Sequence, residues 1–558
     1  MQLPYWVDFL TRTARQRCEP QASRLTEDSV QGPRALLLTI IFALTAAVFS
    51  SASDIYLAQS AAGGATGADC ADALPVTFFN AAGNWGSGTG KIGPGTTVHL
   101  CGTLTAAAGS QFLTFQGNGS SGSPITLLFE AGASLQAPYF SSGGAIALAG
   151  HSFLVVDGGT NGFIENTLNG SSGAACPGGA CSFQQASKAI EASSASNVEI
   201  QNLGMKYLYY HATSSDTAID DSAVNCVYTN GIGNNLSIHN ITAVDASWCI
   251  NLQFGSGSSG LSIYDNSISR IDHGIALGGN PGGALSNVNI YGNTIFSFAN
   301  WDTTSDDYHH DGIHAYGNSS TITNLNIYNN TFSGPASTCA SSCITGYIFI
   351  EVSAGITNES IFNNLFTAQS TDVISSGGGL LGVYSGNSPV LIANNTVVGG
   401  GSGSALCFGA NQTMTGVTLE NNVFSTCNQL SDIKNVSFSA FTNNVYANAQ
   451  SSNALECGST FYSSSQFAAF KSCAAEGSAS IYTANAELNA NGTPASGSPV
   501  IGAGANLTAL GIAALNSDKN ATARPSTGPW DVGAFQFSSS PSTAQPPAPP
   551  TGLNAVVQ

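Results

Sequence analysis

The chain has 558 residues, of which 42% are hydrophobic and only 8% are charged, and it contains 64 glycines. This composition excludes a disordered protein, and the shortage of Lys, Glu and Met beside abundant Gly and Asn argues against a helical one. A formal net charge of −19 disfavours nucleic acid or an anionic lipid surface as a partner. It also fits a strongly acidic polysaccharide poorly unless a cation or a local basic group mediates.

Residues 1–53 have the order of a secretory signal. Basic residues precede an uncharged apolar run at Ala35–Phe49, and small residues follow at Ser50–Ser53. The run is shorter than the roughly 20 residues that a membrane helix needs. We therefore expect a signal cleaved near Ser53 or, if it is not cleaved, an N-terminal membrane anchor. Either case predicts a secreted or cell-envelope protein of bacterial type.

The cysteines beyond this segment number 12 and fall into neighbouring pairs. An even number in an exported chain predicts disulfides, and the spacings do not match a zinc site. The predicted pairs are Cys70 with Cys101, Cys176 with Cys181, Cys226 with Cys249, Cys339 with Cys343, Cys407 with Cys427 and Cys457 with Cys473.

Residues 54–150 are expected to form an N-terminal cap and the first coils, and residues 151–450 contain a repeat. Each repeat centres on an apolar anchor, and the anchors are Ile200, Ile238, Ile263, Ile290, Ile327, Ile361, Ile392, Leu419 and Phe441. Polar and apolar residues alternate around each anchor, which indicates strands. A period in the twenties with insertions indicates a solenoid.

An asparagine follows the strand in seven of these repeats, at Asn266, Asn293, Asn330, Asn364, Asn395, Asn422 and Asn444. Asn tolerates left-handed backbone at a tight bend, and stacked amides can hydrogen-bond along a column. Adjacent coils lie about 4.8 Å apart, which suits a disulfide. The pairs Cys226 with Cys249 and Cys407 with Cys427 are each about one coil apart, so each is expected to join two coils.

At these residues the chain resembles the right-handed parallel β-helix proteins of the pectin-lyase-like superfamily. The resemblance implies an all-β solenoid with an N-terminal cap and a C-terminal capping segment. Residues 451–537 are expected to form that segment, because Gly497–Phe537 resembles the closing motif of choice-of-anchor β-helix surface proteins. Residues 538–558 are rich in Ser and Pro and are predicted to be an extended tail.

The resemblance also implies a monomer that binds and cleaves a polysaccharide on an outer face. Taking Ile250, Ile275, Ile313 and Ile348 as inward-facing puts other residues of these strands outward: Asn251, Gln253, His314, Tyr316 and Glu351. The segments just before these strands add many of the chain's His and Asp residues to the same face. Candidate catalytic residues are Asp272, His310, Asp311 and His314. Candidate substrate-binding residues are Trp248, Asn251, Arg270, His273, Trp301, Tyr316 and Glu351. Asp306 and Asp307 are candidate metal ligands, with Ca²⁺ as the possible cofactor.

The sequence allows several hypotheses for the function of this face. The phrase Asp311–Ile313 resembles one in polygalacturonase-type hydrolases, and Asp272 and Asp311 in adjacent coils would have the spacing of a retaining hydrolase, about 5 Å. A lyase would instead use Arg270 or a histidine as base and a bound Ca²⁺.

A third reading is a metal bound without catalysis by residues of the 309–314 stretch. A fourth is a polar loop that only caps turns. The alternative to an enzyme is an adhesin or a glycan-binding structural protein.

Overall fold

The computed structural model describes residues 54–170, 182–209, 221–298, 310–334, 344–353, 355–369, 379–400 and 406–538. In these ranges the strands of successive coils pair in parallel and build two long sheets. Each chain turn returns to the strand position of the coil before it, and such parallel crossovers are right-handed. The right-handed parallel β-helix predicted from the repeats is therefore confirmed.

The first sheet, called sheet A, has 14 strands in the described ranges. In stacking order they are Leu74–Pro75, Ile55–Ala58, Thr97–Leu100, Ile125–Phe129, Leu154–Asp157, Val198–Gln201, Leu236–His239, Ser258–Tyr264, Ala284–Tyr291, Thr321–Tyr328, Ile356–Phe362, Asn387–Ala393, Met414–Glu420 and Val436–Thr442. The nine predicted anchors stand in register in this sheet, from Ile200 beside Ile238 to Leu419 beside Phe441. They are buried, so the anchors form the apolar core.

The second sheet, sheet B, has 24 described strands and bends into two columns. Column B1 contains Thr103–Thr105, Ser134–Ala137, Phe163–Asn166, Gly204–Leu208, Thr294–Phe298, Thr331–Ser333, Leu365–Thr367, Thr396–Val398, Val423–Ser425, Val445–Ala447 and Ile481–Thr483. Column B2 contains Leu113–Thr114, Ile146–Ala147, Ser187–Glu191, Val224–Asn230, His310–Gly317, Ile344–Val352, Leu381–Val383, Leu406–Ala410, Gln429–Ile433, Leu455–Cys457 and the antiparallel Thr460–Tyr462. Thr242–Phe254 and Ser267–Gly279 run through the corner and belong to both columns.

The predicted asparagine column is present as a buried ladder from Asn266 to Asn444. The first six side-chain amides each donate to the side-chain oxygen of the asparagine in the next coil, over 2.9–3.1 Å, and that of Asn444 donates to Glu476. The left-handed residue at the bend is, however, the one before the ladder residue, as at Asn329 and Asn363 with φ of 57° and 55°. Assigning both roles to one asparagine was therefore wrong, because the bend and the inward-pointing amide occupy successive residues.

Three predicted disulfides are present, Cys70–Cys101, Cys407–Cys427 and Cys457–Cys473. Cys226 and Cys249 also lie side by side in adjacent coils, but they are two buried thiols whose sulfurs are 2.7 Å apart. The predicted bond between them is not formed in this structure, although both cysteines occupy the predicted places in adjacent coils.

The other four cysteines of the predicted pairs lie outside the described residues. Cys176 and Cys181 fall in the gap at residues 171–181, and Cys339 and Cys343 fall in the gap at residues 335–343. The disulfide predicted between Cys176 and Cys181 is therefore not among those described, and neither is the one predicted between Cys339 and Cys343. Both bonds stay predictions.

The region predicted to cap the C-terminus divides into two parts. The helix Phe467–Ala474 packs Phe470 near Tyr446 of the last coils. The chain then runs back along the bends of earlier coils. There the Asn421 side chain hydrogen-bonds the backbone of Ala505, and the Arg524 guanidinium donates to the side-chain oxygen of Asn363. The motif at Gly497–Phe537 thus covers the side of several coils.

The remaining helices are short: Thr77–Asn80 is α-helical, and Cys70–Asp72, Ala82–Asn84, Asp221–Ala223, Ser464–Gln466, Thr508–Leu510 and Ala513–Asn516 are 3-10 turns. Within the ranges given above, none of the helices has the length and apolar character needed to cross a membrane.

Candidate functional site

The candidate site lies at the corner between columns B1 and B2. Two glycines, Gly274 and Gly312, occupy the inside of this corner in adjacent coils. A Cβ atom on Gly274 would lie 2.5 Å from the Gly312 carbonyl oxygen, and one on Gly312 would lie 2.4 Å from the Tyr347 carbonyl oxygen. Because any side chain there would collide with backbone, the corner requires glycine, and the polar residues just before each glycine are held in fixed positions.

Two dipeptides of opposite order stand side by side before these glycines. Ile275 pairs with Ile313, and just before this pair Asp272 lies beside His310 and His273 beside Asp311. Asp272 thus lies beside His310 and not directly beside Asp311, and the predicted spacing of the two carboxylates stays a prediction. Since one coil reads Asp-His and the next His-Asp, carboxylates and imidazoles alternate both along the chain and across the coils.

These groups and two others form a continuous row of acidic and imidazole side chains. His310 Nε2 lies 3.1 Å from Asp272 Oδ2, and the other Asp272 oxygen accepts from His273 Nδ1. His273 Nε2 lies 3.5 Å from Asp311 Oδ2, which is 3.4 Å from His314 Nδ1.

The row ends at the surface, where His314 Nε2 lies 3.1 Å from Glu351 Oε1. The row therefore connects the fully buried Asp272 to Glu351, whose side chain is 42% exposed.

The outer end of the row forms part of a cavity of about 540 Å³. The lining residues carry aromatic rings, imidazoles, amides and charged groups, which are the side chains that bind a polar, ring-shaped ligand. They include Lys188, Tyr228, Trp248, Asn251, Gln253, His273, His314, Tyr316 and Glu351. Trp248 stacks on His273 with ring centroids 3.8 Å apart, and Gln253 donates to the Tyr316 hydroxyl over 2.8 Å. These contacts fix the wall of the cavity before any ligand binds.

Six of the predicted site residues line this cavity: Trp248, Asn251, His273, His314, Tyr316 and Glu351. Asp272, His310 and Asp311 belong to the same cluster, but their side chains are fully buried. The structure therefore does not support direct contact between these three side chains and a substrate. They are placed to hold and orient the imidazoles.

Arg270 lies apart from the cavity lining, with its guanidinium 2.6 Å from the Asp245 carboxylate. Trp301, Asp306, Asp307 and His309 lie outside the described residues.

Sequence reasoning missed Lys188 and Tyr228, which come from earlier coils. The Lys188 ammonium lies 3.4 Å from the centre of the Tyr228 ring, a cation–π contact. Burial lowers the pKa of Lys188, opposed by the nearby Glu191 carboxylate. The outward position of Lys188 in an alternating strand was the available signal, but no repeat anchor had been recognised in Ser187–Glu191.

No protein-family model matches the sequence, and no curated protein matches it. Among solved structures, the chain is similar to the family 6 alginate lyase AlyGC, at 13% identity and a TM-score of 0.36, covering 66% of this chain and 51% of that one. The chain thus spans about half the length of that lyase.

Two other solved structures are similar to the chain. One is the pectate lyase Pel9A, at 14% identity and a TM-score of 0.31, covering 88% of this chain and 97% of that one. The other is the family 28 exopolygalacturonase of Yersinia enterocolitica, at 10% identity and a TM-score of 0.28, covering 62% of this chain and 70% of that one.

Proposed function

We propose that this protein is exported, binds an acidic polysaccharide in the cavity and cleaves it by β-elimination. The observation that carries the proposal is the convergence of a partly desolvated lysine, two imidazoles and three aromatic rings on one open cavity. Aromatic faces stack on sugar rings, and the amides of Asn251 and Gln253 suit hydroxyl groups. Three disulfides support export, because such bonds persist in oxidising compartments.

In elimination beside a uronate, a base takes the C5 proton, the C4–C5 double bond forms and the C4–O glycosidic bond breaks, with its oxygen taking a proton from water. A second group neutralises the carboxylate. Lys188 fits the base, since its lowered pKa increases the fraction of uncharged amine near neutral pH. His273 and His314, on the cavity floor, fit the binding of the carboxylate. Asp272, His310 and Asp311 would act as positioning residues through these imidazoles.

Hydrolysis by two carboxylates fits the site less well. A hydrolase must present one carboxyl group to the leaving oxygen and another to water or the sugar. Asp272 and Asp311 are both fully buried, and the His273 imidazole lies between them. Glu351 is the one carboxylate among the described residues that line the cavity.

The test is a panel of uronate-containing and neutral polysaccharides, with two readouts. Absorbance of unsaturated products detects elimination, and reducing ends detect any cleavage. Lys188→Ala is expected to lower the elimination rate by about 10²–10⁴-fold, the usual contribution of a positioned base. The matched control is Lys206→Ala, since Lys206 also lies over an aromatic ring, that of Phe163 at 4.2 Å, but does not line the cavity.

Each other outcome selects a different function. Reducing ends without unsaturated products would assign hydrolysis. Binding of a glycan without any product would assign the non-catalytic alternative, an adhesin or glycan-binding protein. Equal rates for Lys188→Ala and the wild type would remove Lys188 as the base.

A further inference from the structure

Three potential metal-binding atoms converge beside the cavity, two of them on residues that line it. They are His273 Nε2, Asp311 Oδ2 and His314 Nδ1, which all lie within 4.8 Å of one another. The Asp311 oxygen is 3.5 Å from the His273 nitrogen and 3.4 Å from the His314 nitrogen. Ligands bound tetrahedrally at the usual Zn–N distance stand about 3.3–3.4 Å apart. We infer that these three side chains form a binding site for a divalent transition metal, with zinc as the best fit.

The remaining polar atoms of the three ligands have the partners that a metal site needs. His273 Nδ1 faces the Asp272 carboxylate, and His314 Nε2 faces Glu351 at 3.1 Å. With the ring proton on the nitrogen that faces Asp272 or Glu351, the lone pair of the other nitrogen would point towards Asp311. Carboxylate–histidine pairs of this kind orient metal-binding imidazoles and raise their basicity.

The third ligand is fixed in the same way. Asp311 Oδ1 accepts a hydrogen bond from the Gly346 backbone N–H over 2.9 Å, which leaves Oδ2 directed at the imidazoles. All three ligands lie on paired strands, in Ser267–Gly279 and His310–Gly317, so the site is preformed on rigid backbone.

The donor set selects the class of metal. Two imidazole nitrogens and one carboxylate suit zinc and its neighbours, whereas Ca²⁺ and Mg²⁺ prefer oxygen ligands. The Ca²⁺ expected from the sequence rested on Asp306 and Asp307, and this site uses neither. His273 and His314 line the cavity, so an open coordination position would face it and accept water or an anionic oxygen of a ligand.

The experiment measures metal binding by the full chain without any glycan, so a failure of the proposed elimination would not affect it. Protein treated with a chelator is titrated with Zn²⁺, and separately with Ca²⁺, by calorimetry. Co²⁺ is added to a further sample, and its visible absorption reports the coordination geometry. We expect one Zn²⁺ per chain, binding more tightly than Ca²⁺, and the intense spectrum of tetrahedral Co²⁺.

Variants separate this site from other histidines. His314→Ala and Asp311→Asn should weaken Zn²⁺ binding at least 100-fold. Glu351→Gln, at a partly exposed residue, should weaken it about 10–100-fold and shift the Co²⁺ spectrum, even if a buried variant fails to fold. The control is His239→Ala, since His239 is a buried histidine paired with Glu199 at 2.9 Å in sheet A.

Three results would overturn the inference. They are the absence of saturable Zn²⁺ binding, equal affinity in the wild type and in Glu351→Gln and His314→Ala, and tighter binding of Ca²⁺ than of Zn²⁺.

Discussion

Glu359 carries a buried carboxyl group on the inner, apolar face of sheet A. It stands between Leu325 and Val390 of the adjacent coils, and its side chain is fully buried. Neither carboxyl oxygen has a hydrogen-bond partner among the described residues. Burial raises the pKa of Glu359 to about 8, because the charged form loses its hydration. We predict that Glu359→Leu, which copies the neighbouring coil, stabilises the protein at neutral pH.

The magnitude follows from proton linkage. The folded protein holds the Glu359 proton more tightly than the unfolded chain, whose carboxyl has an ordinary pKa of 4.5. The contribution of Glu359 to stability is therefore fully present below pH 4.5 and is lost as pH rises towards 8. At about 1.4 kcal/mol per pH unit, the loss is about 3 kcal/mol at pH 7. Glu359→Leu should recover this amount.

The assay is urea unfolding at several pH values between 5 and 8. Glu359→Leu should shift the midpoint upwards, with the largest shift at pH 8, and Glu359→Gln should also flatten the pH dependence while leaving a polar group buried. Glu487→Gln, at an exposed carboxylate, is the control and should change neither. Two results would contradict this prediction. They are an unchanged pH dependence in Glu359→Leu and a variant no more stable than the wild type at pH 7.

Three further predictions concern the scaffold. Asn330→Ala removes the side-chain end of four ladder hydrogen bonds and should cost about 2–4 kcal/mol in urea unfolding. The matched Asn326→Ala, in the preceding strand Thr321–Tyr328, should cost less than about 1 kcal/mol. Gly312→Ala should destabilise the corner through its clash with the Tyr347 carbonyl and reduce Zn²⁺ affinity, and unchanged calorimetry would contradict this. Cys407→Ser should lower stability by about 2–4 kcal/mol under oxidising conditions and have little effect in the presence of a reductant.

Part of the site could be predicted because it obeys the two-residue period of a strand. Asn251, His314, Tyr316 and Glu351 were placed outward by counting from an inward isoleucine, and they line the cavity. At the corner, counting alternate residues from an inward isoleucine does not predict which side chains face outward. There the strand bends at Gly274, and the alternation does not continue through the bend.

Four features could be predicted from the sequence alone: the solenoid, its apolar anchors, the asparagine ladder and the outward residues within each strand. These features repeat locally, and each repeat carries its own apolar, polar and turn residues. The tertiary structure decided which polar residues meet. Coils differ by insertions of variable length, so only the tertiary structure places Asp272 beside His310 and His273 beside Asp311. It likewise brings Lys188 of an earlier coil to the same cavity as His314.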